Sequence, residues 1–141
     1  METKGEGVIE MAKLYPYIHC EDARGQAEFY AKALSGEIIS IQTFAEAPNV
    51  NAEIKDKVMH LVLKAAGLQF FMADSVMEPV WRGNGIDLTL EYHSEDEARQ
   101  AFEGLSQGGK VLMPFQRMFW GAMFGRVEDP YGVRWQVAAE A

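Results

Sequence analysis

The sequence predicts an α+β fold made of two tandem βαβββ modules, and three observations carry that prediction. The order strand, amphipathic helix, Gly-led strand, hairpin occurs twice along the chain. Equivalent landmarks keep a constant offset: Phe29 and Phe102 stand 73 positions apart, as do Gly36 and Gly109. Gly67 and Gly132, which lead the two hairpin turns, stand 65 apart, so the first module's middle loop is longer by about eight residues. Module one is read over about 14–74 and module two over about 85–138. Both belong to one domain spanning 8–141, with a loose tail over 1–7.

In chain order, Tyr15, Tyr17 and His19 alternate with Pro16, Ile18 and Cys20, which is the period of a strand. Asp22 is the predicted N-cap of the first helix, because its carboxylate suits the free backbone N–H groups of a first turn. Ala23, Ala27, Tyr30 and Leu34 give that helix its apolar stripe. Gly36 is read as its stop and Gly36-Glu37-Ile38-Ile39 as the following strand. Val58 to Met72 then folds into a hairpin at Ala66-Gly67, which pairs Lys64 with Gln69 and Val62 with Phe71. His60, Gln69 and Phe71 therefore share one face, while Met59, Leu61 and Leu63 take the other.

In module two, Ile86, Leu88, Leu90 and Tyr92 alternate with Asp87, Thr89 and Glu91. Ser94 with Glu97 has the S-x-x-E pattern of a capping box. Ala98, Ala101, Phe102 and Leu105 follow at i, i+3, i+4 and i+7, one apolar stripe. Gly108-Gly109 ends this helix, Gly109 to Leu112 makes a strand, and Met123 to Val137 folds into a hairpin about Gly132. In Asp129-Pro130-Tyr131-Gly132 the Asp caps the turn, Pro presets φ and Gly takes the position that a Cβ would crowd. The string is read as a turn and assigned no chemistry.

Composition narrows the function classes. The chain is 48% hydrophobic and 24% charged, ordinary for a globular domain. A formal charge of −8 without Lys/Arg clusters excludes a nucleic-acid surface, which needs clustered cations for phosphate. Residues 1–7 lack the apolar core of a signal peptide, and no apolar run reaches the length of a membrane span. The lone Cys20 leaves no internal disulfide and suits a reducing compartment. The expectation is a cytoplasmic protein.

Helices cover one face of each sheet, which leaves a mixed aromatic and polar face to line something else. A lining of Tyr, His, Phe, Thr and Glu fits a concave small-molecule pocket, the alternative being a half-exposed sheet face or a dimer interface. His60 is the candidate acid–base or hydrogen-bonding group, with Glu91 as a partner that would orient the ring and raise its basicity. The alternative is a histidine held within the sheet face and chemically idle. His19 and His93, at strand ends, are read as surface residues, as are Arg126 and Arg134. Phe119-Trp120-Gly121-Ala122 is either a closing loop at a cleft rim or a plug of the second module's core.

The paired modules, with Phe119-Trp120-Gly121-Ala122, Phe124-Gly125, Asp129-Pro130-Tyr131-Gly132-Val133 and Trp135, resemble the PhnB-like branch of the vicinal oxygen chelate superfamily. That superfamily includes glyoxalase I, bleomycin-resistance proteins and extradiol dioxygenases. Val58-Met59-His60, Pro16-Tyr17 and Glu28-Phe29-Tyr30 match the branch too, and the resemblance covers 14–137 apart from the loops 44–56 and 75–85. It implies a curved eight-stranded mixed sheet around a cleft, helices outside, and a homodimer.

Metal-dependent relatives place a His or Glu near the start of each module's first strand and a Glu in each last strand. Counted onto this chain, those positions fall on Tyr15, Phe71, Leu88 or Asp87, and Gln136. A tight transition-metal site needs three or four imidazole, thiolate or carboxylate donors, so no metal and no cofactor are expected. The ubiquinone-pathway methyltransferase label sometimes attached to the branch lacks a Gly-rich strand-to-helix loop here, since Gly83-Asn84-Gly85 precedes a strand. Two classes stay open. One is a small-molecule-binding protein whose ligand meets Tyr15, Tyr17, His60, Phe71, Thr89, Glu91, Phe119, Trp120 and Gln136. The other is a metal-free lyase, isomerase or dioxygenase-type enzyme using His60 and Glu91, or one weakly metal-dependent through Asp87, Gln136 and His60.

Overall fold

The computed structural model describes residues 10–140, so the tail read at 1–7 lies outside the described residues. Eight strands and two long helices follow in the order expected. They are β1 (Tyr17–Cys20), α1 (Ala23–Ala33), β2 (Glu37–Thr43), β3 (Val58–Ala65), β4 (Leu68–Asp74), β5 (Leu88–Tyr92), α2 (Glu95–Ser106), β6 (Lys110–Arg117), β7 (Met123–Glu128) and β8 (Arg134–Ala139). A 3₁₀ turn at Phe44–Glu46 opens the longer loop of the first module.

The strands form two four-stranded mixed sheets with the same topology, β1-β4-β3-β2 and β5-β8-β7-β6. In each, the first strand pairs in parallel with the last and the other pairings are antiparallel. The β3–β4 hairpin turns on Ala66 (φ 54°) and Gly67 (φ 72°), the two left-handed positions of a two-residue turn. The resulting register is Lys64 opposite Gln69 and Val62 opposite Phe71, as the alternation requires.

The helix stripes form the core. Ala23, Ala27 and Tyr30 of α1 and Ala98, Ala101, Phe102 and Leu105 of α2 are buried against Leu61, Leu63, Phe70, Met72, Trp135 and Val137. Asp22 accepts from the Gly25 N–H at 3.2 Å and Ser94 from the Glu97 N–H at 3.2 Å. The predicted capping box is half formed, because no hydrogen bond returns from the Ser94 N–H to Glu97.

The role read for Gly36 needs correction. The left-handed residue after α1 is Ser35 (φ 53°), and Gly36 is required for space, since a Cβ there would strike the Lys64 carbonyl and Ala65. Gly109 does the same against the Glu128 carbonyl, so the repeated glycines mark where each second strand presses on its neighbour.

The modules meet through their helices and cores. A Cβ on Gly104 of α2 would lie 2.9 Å from the Ala33 Cα of α1, so glycine sets how closely the helices cross. Trp135 packs edge-on against Tyr30 with ring centroids 5.3 Å apart and lies 6.0 Å from Phe70, joining the second sheet to the first. A buried polar chain runs through this junction. Gln26 Nε2 donates to Tyr30 Oη at 2.8 Å, and Tyr30 donates to Asp129 Oδ2 at 2.5 Å. Burial, with the Asp129 charge and hydrogen bond second, pushes the Tyr30 phenol well above its ordinary value, so it stays neutral, accepting from Gln26 and donating to Asp129.

Candidate functional site

Each sheet keeps its helix-free face open, and the side chains there follow from strand alternation. On the first sheet Tyr15, Tyr17, His19, His60 and Phe71 gather into one aromatic cluster. Ring centroids are 4.9 Å apart for Tyr15–Phe71, 5.1 Å for His60–Phe71, 5.9 Å for Tyr17–His60 and 5.2 Å for Tyr17–His19. Parallel pairing of Tyr17 with Phe71 brings the β1 and β4 rings together, and Val62 opposite Phe71 sets His60 beside them. His19, read as a surface residue, is exposed but belongs to this cluster.

The second sheet carries a polar face. Arg126 Nε donates to Asp87 Oδ2 at 2.8 Å, Gln136 Nε2 to the same oxygen at 3.2 Å, and Thr89 Oγ1 to Gln136 Oε1 at 3.3 Å. The Asp87 side chain is only 10% exposed. The hydrogen bond from Arg126 holds its carboxyl below the usual carboxylate value, against a smaller opposing effect of burial. Arg134 pairs with Glu128 at 3.1 Å. Arg126 and Arg134 are therefore half-buried members of an ion-paired face, not the plain surface residues their hairpin position suggested. Sequence proximity to a turn gave no sign of Asp87, which lies 39 positions upstream of Arg126.

Between β6 and β7, Phe119 and Trp120 meet edge-to-face at 4.9 Å, and Trp120 reaches Phe124 of the second sheet at 6.3 Å. Phe119 is 98% exposed, so the pair is not a core plug. Arg117 NH1 fixes the tip by donating to the Gly121 carbonyl at 2.7 Å. Glu91 is exposed on the second sheet, opposite Ala138. Among the described residues no hydrogen bond or ion pair joins it to His60, so the two acid–base candidates stand on different sheets without meeting.

The two faces also place the positions where a metal would sit in the fold. Tyr15 packs against Phe71 in module one, while in module two Asp87 bonds Gln136 and Leu88 packs partly against the core. The donor set does not fit a tight transition-metal site: it offers a phenol, a phenyl ring, an amide and one carboxylate already held by a guanidinium. Among the described residues no three His, Cys, Asp or Glu side chains gather as metal ligands. Cys20 is no substitute, since burial pushes its thiol up to about 12 and keeps it neutral.

A cavity of about 740 Å³ adjoins the aromatic cluster through Tyr17 and His19. Phe44 from the longer loop forms one wall and residues 76–83 of the segment between the modules form another, with Leu88 and Arg134 of the second module also in the lining. Both walls come from the loops that the motif resemblance left unmatched. Their apolar residues, Phe44, Met77 and Trp81, carry no periodicity that would have exposed them in the sequence.

This architecture, with two equivalent βαβββ modules that both contribute residues to one cavity, defines the class. Residues 17–137 match the family model described as the Glyoxalase/Bleomycin resistance protein/Dioxygenase superfamily, and the chain belongs to that superfamily. The crystal structure of protein PA1353 from Pseudomonas aeruginosa is 30% identical, with a TM-score of 0.80 over 92% of this chain and 98% of its own. A PhnB protein from Bacillus cereus, described as a 3-demethylubiquinone-9 3-methyltransferase, is 26% identical, with a TM-score of 0.74 over 92% of this chain and all of its own. Protein YjdN of Escherichia coli is 26% identical over 88% of this chain and 92% of its own. The fosfomycin resistance protein FosX from Listeria monocytogenes, at 12% identity and a TM-score of 0.66, shares the fold. Among the described residues no helix is long and apolar enough to cross a membrane.

Proposed function

We propose that the chain is a cytoplasmic small-molecule-binding protein that works without a resident metal or cofactor, as a twofold homodimer. The observation that carries this reading is the aromatic cluster Tyr15, Tyr17, His60 and Phe71, standing on an open sheet face beside a cavity of about 740 Å³. That volume falls among ligand pockets, and the lining is of their kind: mostly apolar and aromatic, with a few polar groups. The ion-paired face of Asp87, Arg126, Gln136 and Thr89 stands on the second sheet, and of that face Arg134 reaches the cavity. The methyltransferase description of the Bacillus cereus relative finds no support in these residues, because no Gly-rich strand-to-helix loop is present among them.

Native mass spectrometry of freshly purified protein tests the reading, with expected dimers carrying a retained small molecule and no metal. About one zinc, nickel, manganese or iron per chain, retained through dialysis, overturns it. His60→Ala then separates function from packing. It should weaken retention of that molecule while costing well under the ~3 kcal/mol typical of large core truncations, whereas Leu61→Ala should cost about 2–5 kcal/mol.

A further inference from the structure

We infer that Trp81, on the segment joining the two modules, is the stacking residue for a flat, aromatic, non-anionic ligand in the inter-module cavity. This rests on reading that cavity as a binding site. Trp81 lines it, yet its side chain is 91% exposed. An indole left in water forgoes the largest apolar burial any residue offers, so its position calls for a cause.

Fraying is not that cause, because both neighbours are anchored. The Val80 N–H donates to Glu21 Oε2 at 2.8 Å. Arg82 donates three times: to the Tyr131 carbonyl at 3.1 Å, the His19 carbonyl at 2.5 Å and Gln26 Oε1 at 3.3 Å. Val80 is held through its backbone to module one and Arg82 through its side chain to both modules, with the indole ring between them exposed. Such a ring is a rigid contact surface with little rotamer entropy to lose on binding. Tyr17, Phe44 and Met77 line the same cavity, so a planar ligand meets apolar and aromatic surface on several sides.

Charge selects the ligand further. Asp74 and Glu78 line the cavity together with Arg82 and Arg134, and Arg134 is already paired with Glu128. The carboxylates offset the two guanidinium charges, so the lining offers an anion no net positive charge. The chain's formal charge of −8 opposes one as well.

The test uses the full chain and two dyes with nearly the same ring system. N-phenyl-1-naphthylamine is neutral, and 8-anilinonaphthalene-1-sulfonate adds a sulfonate. Fluorescence titration should show saturable binding of the neutral dye and several-fold weaker binding of the sulfonate. Trp81→Ala should weaken the neutral dye about tenfold, and Trp81→Phe, which keeps a ring, by no more than about threefold. The thermal midpoint should be unchanged in both, as expected for an exposed side chain. If Tyr17→Ala abolishes binding and Trp81→Ala leaves it intact, the cavity reading stands and the role of Trp81 falls. If the neutral dye does not bind, or binds indifferently to both substitutions, both fall. Preferred binding of the sulfonate overturns the ligand class. Conversion of a dimer to a monomer by Trp81→Ala, seen by light scattering, shows that a second chain covers the indole and overturns the inference.

Discussion

At the scale of single residues, Asp129 carries more than its turn. It is 2% exposed and receives four donors: the Tyr131 and Val133 N–H groups on Oδ1, and Tyr30 Oη and Trp135 Nε1 on Oδ2. The turn was legible from Asp129-Pro130-Tyr131-Gly132, but Tyr30 lies 99 positions away and a capping pattern encodes only its local bonds. Asp129→Ala leaves these donors buried without an acceptor, so we predict a loss of about 3 kcal/mol or more by urea denaturation. A loss below ~1 kcal/mol would mean that water replaces the carboxylate. Asp87 gives a pH test. Its folded carboxyl is held below the ordinary value of 3.8 by Arg126, so its contribution is present above that value and lost as pH falls through the lowered one. The stability difference between the wild type and Asp87→Asn should therefore be constant near neutrality and shrink below about pH 3.8. An unchanged difference at pH 2.5 would show that Asp87 has no such linkage.

At the scale of elements, legibility followed locality. The apolar stripes of both helices are buried as their spacing demanded, and the Ala66-Gly67 turn set the expected register. Both signals lie within a few residues of their effect. Gln26 was missed from the α1 stripe because a polar side chain is buried there only through its bonds to Tyr30 and Arg82. Strand starts were read two residues early, at Tyr15 and Ile86, since alternation continues past the last hydrogen-bonded pair. Glycines show the same limit. Gly125 admits the Phe102 ring, which would stand 2.7 Å from a Cβ, and Gly104 admits Ala33 at 2.9 Å. Neither contact is local. Gly104→Leu must push α2 away from α1, and we predict about 1–3 kcal/mol of destabilisation by thermal melting, the usual range for overpacking. The helix-favouring gain of replacing glycine, roughly 1 kcal/mol, works in the opposite direction and is not expected to prevail. A stabilised variant would show that the helices have room to separate.

At the scale of the whole molecule, the repeat in the sequence announced two modules but not how their faces are disposed. That depends on side chains from different modules meeting, as Tyr30 meets Asp129 and Phe70 meets Trp135. The outcome is that the helices and cores join the modules, while among the described residues no hydrogen bond, ion pair or ring contact links the two open faces. The aromatic face with His60 and the polar face with Asp87 and Glu91 thus each lack a cover. A second chain supplies one if its polar face and its Phe119-Trp120 tip lie over the first chain's aromatic face, and twofold symmetry then repeats the arrangement. Exposed Phe119, Trp120 and Ile86 are the apolar surface such an interface would bury. We predict a dimer of about twice the 15.8 kDa chain by light scattering at micromolar concentration, burying about 1,200 Å² or more in total. Phe119→Ser combined with Trp120→Ser should shift it towards monomer and weaken ligand retention together, because one surface serves both. A wild-type monomer at those concentrations would refute the dimer, and a monomeric variant with undiminished retention would place the whole site within a single chain.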